Sequence, residues 1–332
     1  MSNRGPGVRA VSVLVLMFPV VMAMSAEGQS APKTSWGDPD LQGIWTSSGA
    51  TPFERPNNLS GREILTDEEV SSIRAATTAR DEELLSAAAQ RTQAGGNVGA
   101  YNNFWMDRGT RTNRTSMVVD PPDGRLPPLT PAGEHARTTR LKAPRGMERG
   151  DTWEDRHIWE RCVTRGGMPN AMFPRSYNNN MQVFQTPDHV VILIEQVHEV
   201  RVVPLDGRDH PSDEIGQWNG ISTGHFEGDT LVVETSNLDS RVSGLQPWSL
   251  FDSAEGSGED MTLIERFTRT GPDSLEYEVQ VFDPQMYTRS WTVAFPFSSL
   301  GDVMYEYACH EGNEGMIGIL AGGRAEDADE AK

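Results

Sequence analysis

Over residues 275–282 and again over 289–295, side chains alternate in character with the period of a strand that buries one face. Leu275, Tyr277, Val279 and Val281 fall on one side against Glu276, Glu278 and Gln280, and Trp291, Val293 and Phe295 oppose Ser290, Thr292 and Ala294. Further strand-like runs occupy 190–203, 230–235, 263–269 and 303–310. Turns such as Asp206-Gly207, Gly228-Asp229 and Gly271-Pro272-Asp273 join them. The run at 190–203 reads either as one bent strand or as a hairpin folded near Gln196. With no helical crossover between consecutive strands, the pattern predicts a mainly β fold: a continuous antiparallel meander, closed or nearly closed, over residues 176–311, within a barrel domain of residues 176–321. No period of roughly 20 to 50 residues repeats, which disfavours propellers and solenoids.

The N-terminal half reads differently. Arg4 and Arg9 precede an apolar stretch from Val11 to Met22, and small residues follow at Ala23 and Ser25; this is the anatomy of a secretory signal over residues 1–25. The apolar stretch is too short, and too broken by Ser12 and Pro19, for a permanent anchor. Residues 26–35 are small and polar, a disordered leader. Residues 36–175 are expected to wrap the barrel with a short strand anchored by Trp45, an aromatic knot (Tyr101, Phe104, Trp105) and helical segments. Thr66 with Glu69 three residues on is a capping box, and the thin stripe of Val70, Ile73, Leu84 and Leu85 places its helix on the surface. Residues 322–332 read as an acidic, disordered tail.

Charge and cysteine usage narrow the class. The net charge of −19 becomes −21 once residues 1–25, which carry Arg4 and Arg9 and no acid, are removed. Such a chain repels phosphate backbones and anionic lipid, so the expected partner is a small molecule, with no nucleic acid and no membrane after signal cleavage. Oligomeric state is left open. Cys162 and Cys309 are the only cysteines, and in an oxidising compartment a lone pair is expected to be joined. The expected location is therefore periplasmic or secreted.

Nucleotide-binding glycine loops, the nucleophile elbow and the two-histidine zinc motif are all absent, so neither a cofactor nor a metal is expected. Two histidine settings remain. If 190–202 is one strand, Gln196 and His198 sit in the middle of its apolar face, where a polar pair must be bonded or open to a cavity. A satisfied core histidine or a hairpin-tip histidine in water would serve the same sequence. Around Cys309, His310 and Glu311 lie on backbone that a disulfide would fix. Imidazole is the side chain suited to proton exchange near neutral pH. The candidate catalytic set is His198 as base or acid, His310 as its partner, and Glu311 orienting the latter. Tyr177, Asn179, Gln196 and Arg201 are the candidate ligand-binding groups.

Several phrases of the chain also resemble a known group. They are Pro39-Asp40-Leu41-Gln42-Gly43-Ile44-Trp45, Asp120-Pro121-Pro122-Asp123-Gly124-Arg125, Tyr177-Asn178-Asn179-Asn180, Val203-Pro204-Leu205-Asp206-Gly207-Arg208, 227–235 and 305–313. In this order they resemble a large family of exported bacterial hypothetical proteins; the likeness covers most of the mature chain and implies no particular reaction. Gly43-Ile44-Trp45 before a meander is similar to the Gly-x-Trp of the first lipocalin strand, which implies a calycin-like barrel. Two functions compete: a cofactor-independent lyase, isomerase or hydrolase using histidine acid/base chemistry, and a non-catalytic carrier of a hydrophobic ligand. They divide on whether His198 and His310 share one cavity.

Overall fold

The computed structural model describes residues 32–47, 49–87, 106–107, 109–142, 150–156, 158–212, 214–239, 260–311 and 313–331. The signal segment, most of the leader and the aromatic knot at 101–105 lie outside these. Ten strands form one antiparallel sheet: β1 (Gly43–Thr46), β2 (Val118–Asp120), β3 (Asn180–Gln185), β4 (His189–Ile194), β5 (Glu199–Pro204), β6 (Ile221–Glu227), β7 (Thr230–Ser236), β8 (Thr262–Gly271), β9 (Ser274–Phe282) and β10 (Trp291–Ser299). The sheet order is β5-β4-β3-β1-β10-β9-β8-β7-β6, with β2 paired to β10. The sheet curls until β5 and β6 approach each other, giving the nearly closed barrel that the alternation predicts, consistent with the calycin-like form that the Gly43-Ile44-Trp45 likeness implies.

The apolar parity of the strands explains the core. In β9, Leu275, Tyr277, Val279 and Val281 are all buried, as are Trp291, Val293, Phe295 and Phe297 in β10 and Leu263 and Phe267 in β8. Aromatic contacts continue outward from Tyr277, which packs on Phe267 at 4.9 Å and Phe295 at 5.2 Å. Phe295 meets Phe173 at 6.1 Å, and Phe173 meets Phe53 at 5.7 Å, so the N-terminal half is tied to the barrel by rings. Helix α1 (Asp67–Ser86) has the expected capping box, with Glu69 N–H donating to Thr66 Oγ1 at 3.2 Å, and Val70 is its only buried residue. Helix α2 spans Pro131–Lys142.

β1 closes the ring between the first and last strands of the meander, β3 and β10, pairing Trp45 with Met181 on one side and Ser299 on the other. Burial of Trp45 favours this, its indole N–H donating to the Leu41 carbonyl at 3.0 Å. Two expectations need correction. Residues 303–310 form no strand, because β10 already pairs with β9 on one edge and with β1 and β2 on the other. Val303 and Tyr305 are accordingly exposed, and the segment runs as an irregular strap. Residues 314–330 are helical (α3, Glu314–Glu330) and so include most of the stretch read as a disordered tail. The Asn313 side chain caps this helix by accepting from Met316 N–H, and Gly323 packs so closely on Gly150 that an added Cβ would lie 2.6 Å from its carbonyl oxygen. Among the described residues no helix is long and apolar enough to cross a membrane.

Candidate functional site

Where β5 and β6 meet, side chains rather than a backbone ladder close the barrel. Glu199, Arg201 and Val203 point inward and are buried, while Val200 and Val202 face out, exposed by 58% and 52%. Arg201 Nη2 donates across the gap to Ser222 Oγ at 3.2 Å. Gly224 admits Val203, whose Cγ1 would lie 2.7 Å from an added Cβ. A cleft of about 450 Å³ opens along this seam, lined by groups that include Cys162, His198, Glu199, Arg201, Trp218, Asn219 and His310.

The 190–203 run is a hairpin, and its tip carries His198. Residues 196–198 make one 3-10 turn in which Val197 and His198 have φ of 60° and 43°. Neither residue favours this left-handed region, and a β-branched valine least of all. Cys162, also on the cleft, has φ of 57°. His198 is therefore exposed at the mouth of the cleft, not enclosed in the apolar interior considered from sequence. Its Nδ1 lies 3.2 Å from the Tyr307 carbonyl oxygen. A carbonyl only accepts, so Nδ1 carries the proton and Nε2 of the neutral ring keeps its lone pair.

His310 comes to the same cleft on the strap, its ring centroid 5.5 Å from that of His198. The Cys162–Cys309 disulfide, 147 residues apart in sequence, fixes the adjacent backbone, and Asn313 Nδ2 anchors the far end to the Glu160 carbonyl at 2.9 Å. Glu311 is exposed and does not line the cleft, and no hydrogen bond joins it to His310 among the described residues.

The other sequence candidates serve mainly the frame. Asn179 Oδ1 accepts from Arg175 N–H, and its Nδ2 donates to the Arg175 carbonyl, both at 2.7 Å, which clamps a loop. Gln196 is buried and donates to the Tyr177 carbonyl at 2.7 Å, holding the turn beneath His198. The Tyr177 ring lies near the Arg165 guanidinium, 5.8 Å away, and Arg165 also covers Trp159 at 4.1 Å.

Arg201 is at the cleft floor but is engaged inside the barrel. It donates to Glu265 through Nη1 at 3.1 Å and Nη2 at 2.6 Å, and Glu265 also accepts from Tyr277 OH at 2.8 Å and Thr235 Oγ1 at 3.1 Å. Burial alone would lower the Arg201 pKa, but Glu265 overrides it and keeps the guanidinium charged. The Tyr277 hydroxyl is pushed well up by burial and by Glu265. Glu199, buried beside Arg201, is also pushed up, first by burial. Sequence reasoning missed Glu199 and Glu265. The signal for Glu265 was its parity, since it shares the inward side of β8 with Leu263 and Phe267. Among the described residues no group of three or more histidine, cysteine or acidic side chains is placed to hold a metal. Comparison of the chain with family models, curated proteins and solved structures gives no match.

Proposed function

We propose that the protein is an exported, periplasmic or secreted, cofactor-independent enzyme that moves protons on a small molecule held in the β5–β6 cleft. The observation that carries this reading is the His198–His310 pair, with ring centroids 5.5 Å apart on one cleft of about 450 Å³. His198 offers Nε2 as a base, because the Tyr307 carbonyl engages Nδ1. His310 faces it from a strap that the disulfide holds in place, and positioned groups of this kind lower a barrier by removing orientational freedom. Export is supported by the leader anatomy and the disulfide together.

Ligand-observed NMR against a library of small molecules, followed by turnover assays on the hits, tests the proposal. His198→Gln and His310→Gln should each lower turnover about a hundredfold while leaving the fold intact. A hit that binds but is never converted, and whose affinity falls only modestly in both variants, would assign the cleft to a carrier instead.

A further inference from the structure

We infer that Glu199 is the proton-donating catalytic residue of this cleft, and that the ligand is a neutral carbonyl compound bearing an acidic α-hydrogen. The inference rests on the acid–base reading above and names its acid and its substrate class. Glu199 directly follows His198 in the chain, lines the same cleft, and is only 7% exposed. Its Oε1 accepts the Arg165 backbone N–H at 3.0 Å; the carboxyl lies beside the Thr164 and Asn219 side chains, yet the buried Oε2 makes no hydrogen bond of good geometry. A buried carboxyl oxygen left unmatched in a protein interior is costly, and a ligand oxygen in the cleft would satisfy it.

Burial favours the protonated form of Glu199, and its neighbours oppose this only in part. Arg201, on its own strand, is neutralised by two bonds to Glu265. Arg165 approaches from the 163–167 loop with its guanidinium stacked on Trp159, and the cleft lining from β6 and its preceding loop, which includes Gln217, Trp218, Asn219 and Ser222, carries no charged group. Arg175, buried and outside the cleft lining, is coupled by charge to Glu199, and His198 and His310 line the cleft. Burial therefore raises the Glu199 pKa, and the dipoles of Thr164, Arg165 N–H and Asn219 and the charge of Arg201 offset only part of this. A carboxyl with a raised pKa on the same cleft as an imidazole is the pairing that runs acid and base chemistry together at one pH.

The same surroundings select the ligand. Arg201 is the only arginine lining the cleft among the described residues, and Glu265 has already taken it, so no guanidinium there is left to hold a carboxylate or phosphate. Val163, Val197 and Ile221 supply apolar walls. In the proposed step, His198 Nε2 takes the α-proton as the C–H bond breaks and a C=C bond forms. The carbonyl oxygen takes the Glu199 proton and becomes a hydroxyl. The products are an enol, an imidazolium and a carboxylate, and the charges sum to zero. Return of a proton to carbon resets both groups, so no co-reactant is consumed.

Two measurements on the full chain test this. Infrared difference spectra between the wild type and Glu199→Gln, recorded from acid to alkaline pH, should show a protonated carboxyl persisting above the ordinary glutamate range near about 4.3. Exchange of α-hydrogen for deuterium in D2O, followed by NMR with acetone, cyclohexanone and acetophenone, should be faster with wild type than in buffer. Glu199→Gln, which keeps size and the bond from Arg165, should lose about tenfold to a hundredfold and the alkaline limb of the pH profile. A Glu199 ionised throughout the neutral range would overturn the inference. So would unchanged exchange in Glu199→Gln while His198→Gln is inactive, and that result would leave the acid–base reading standing. No acceleration of any of the three ketones by the wild type would overturn both.

Discussion

Replacing Glu265 with glutamine should be among the most damaging single changes the barrel interior can take. The carboxylate receives four donors, two from Arg201 and one each from Thr235 and Tyr277, and it is fully buried. Glutamine keeps one acceptor oxygen but turns an NH2 donor toward those same donors. It also leaves Arg201, whose side chain is 3% exposed, as a buried charge without a counter-ion. Breaking one side of a buried pair in this way costs about 3–5 kcal/mol. With a urea m-value near 3 kcal/mol/M, the unfolding midpoint should fall by about 1–1.7 M at unchanged slope. The double variant Arg201→Met, Glu265→Leu removes both charges and should recover most of that loss, because apolar replacement of a whole buried pair is commonly neutral or better. Urea curves for the wild type, Glu265→Gln and the double variant form the test. A Glu265→Gln loss below about 1 kcal/mol, or a double variant as unstable as the single, would refute the view that this pair is a structural lock and Arg201 no ligand-holder.

Three other outcomes follow from the same physics. Replacing Cys162 and Cys309 with serine opens a loop of 147 residues and should lower stability by about 5 kcal/mol on chain-entropy grounds, read from denaturant midpoints under matched conditions. Gly224→Ala drives a methyl toward Val203 and the Val232 carbonyl, and thermal unfolding should register about 1–3 kcal/mol of overpacking if the barrel seam is as tight as described. The Glu69 carboxyl is held down to about 2 by the side-chain hydrogen bond from Arg62, then by Thr66 N–H. Its contribution to capping α1 is present above the unfolded value near 4.5 and is lost as pH falls toward 2; amide NMR of residues 66–70 should show the end of the helix fraying there, and Glu69→Gln should remove that dependence.

Strand parity made much of this legible. The alternation in β9 and β10 placed Tyr277, Val279, Trp291 and Val293 in one core, where they are found. Thr66 and Glu69 marked the start of α1 for the same local reason. Insertion of β1 between β3 and β10 could not be read this way, because a four-residue strand has too short a pattern to specify its neighbours. Residues 303–310 look like a strand by composition, yet strand formation depends on a free sheet edge, which is a property of the whole topology. At the site, His198 and His310 could be singled out as imidazoles, but their meeting depends on a disulfide that spans nearly half the chain. Glu311 attracted attention through adjacency to His310. Glu199 went unnoticed, although its burial follows from the same parity that sends Arg201 and Val203 inward.

The location of the cleft follows from how the sheet ends. A barrel sealed by hydrogen bonds on every side keeps its inward side chains away from water, and one left wide open loses its core. Here β5 and β6 approach closely enough for Arg201 to reach Ser222 and for Val203 to pack over Gly224, so the seam is covered without a continuous ladder. Inward-pointing polar groups of an edge strand can meet solvent at such a seam and nowhere else in the barrel. Glu199 and Arg201 occupy that position, and the two have different surroundings: Arg201 is locked by four hydrogen bonds to three residues on three strands, whereas Glu199 keeps one carboxyl oxygen unengaged. The left-handed backbone at Val197 and His198 lifts the hairpin tip over the seam, and the cross-linked strap brings His310 to meet it. Strain at the tip is tolerable because Gln196 beneath it is bonded to Tyr177 and Glu195 beside it accepts from Asn178 and Asn180. A hairpin evolved for packing alone would gain nothing from a β-branched residue at positive φ, and glycine would serve there better. On the proposed chemistry, presenting His198 to the cleft beside His310 gives that conformation a use.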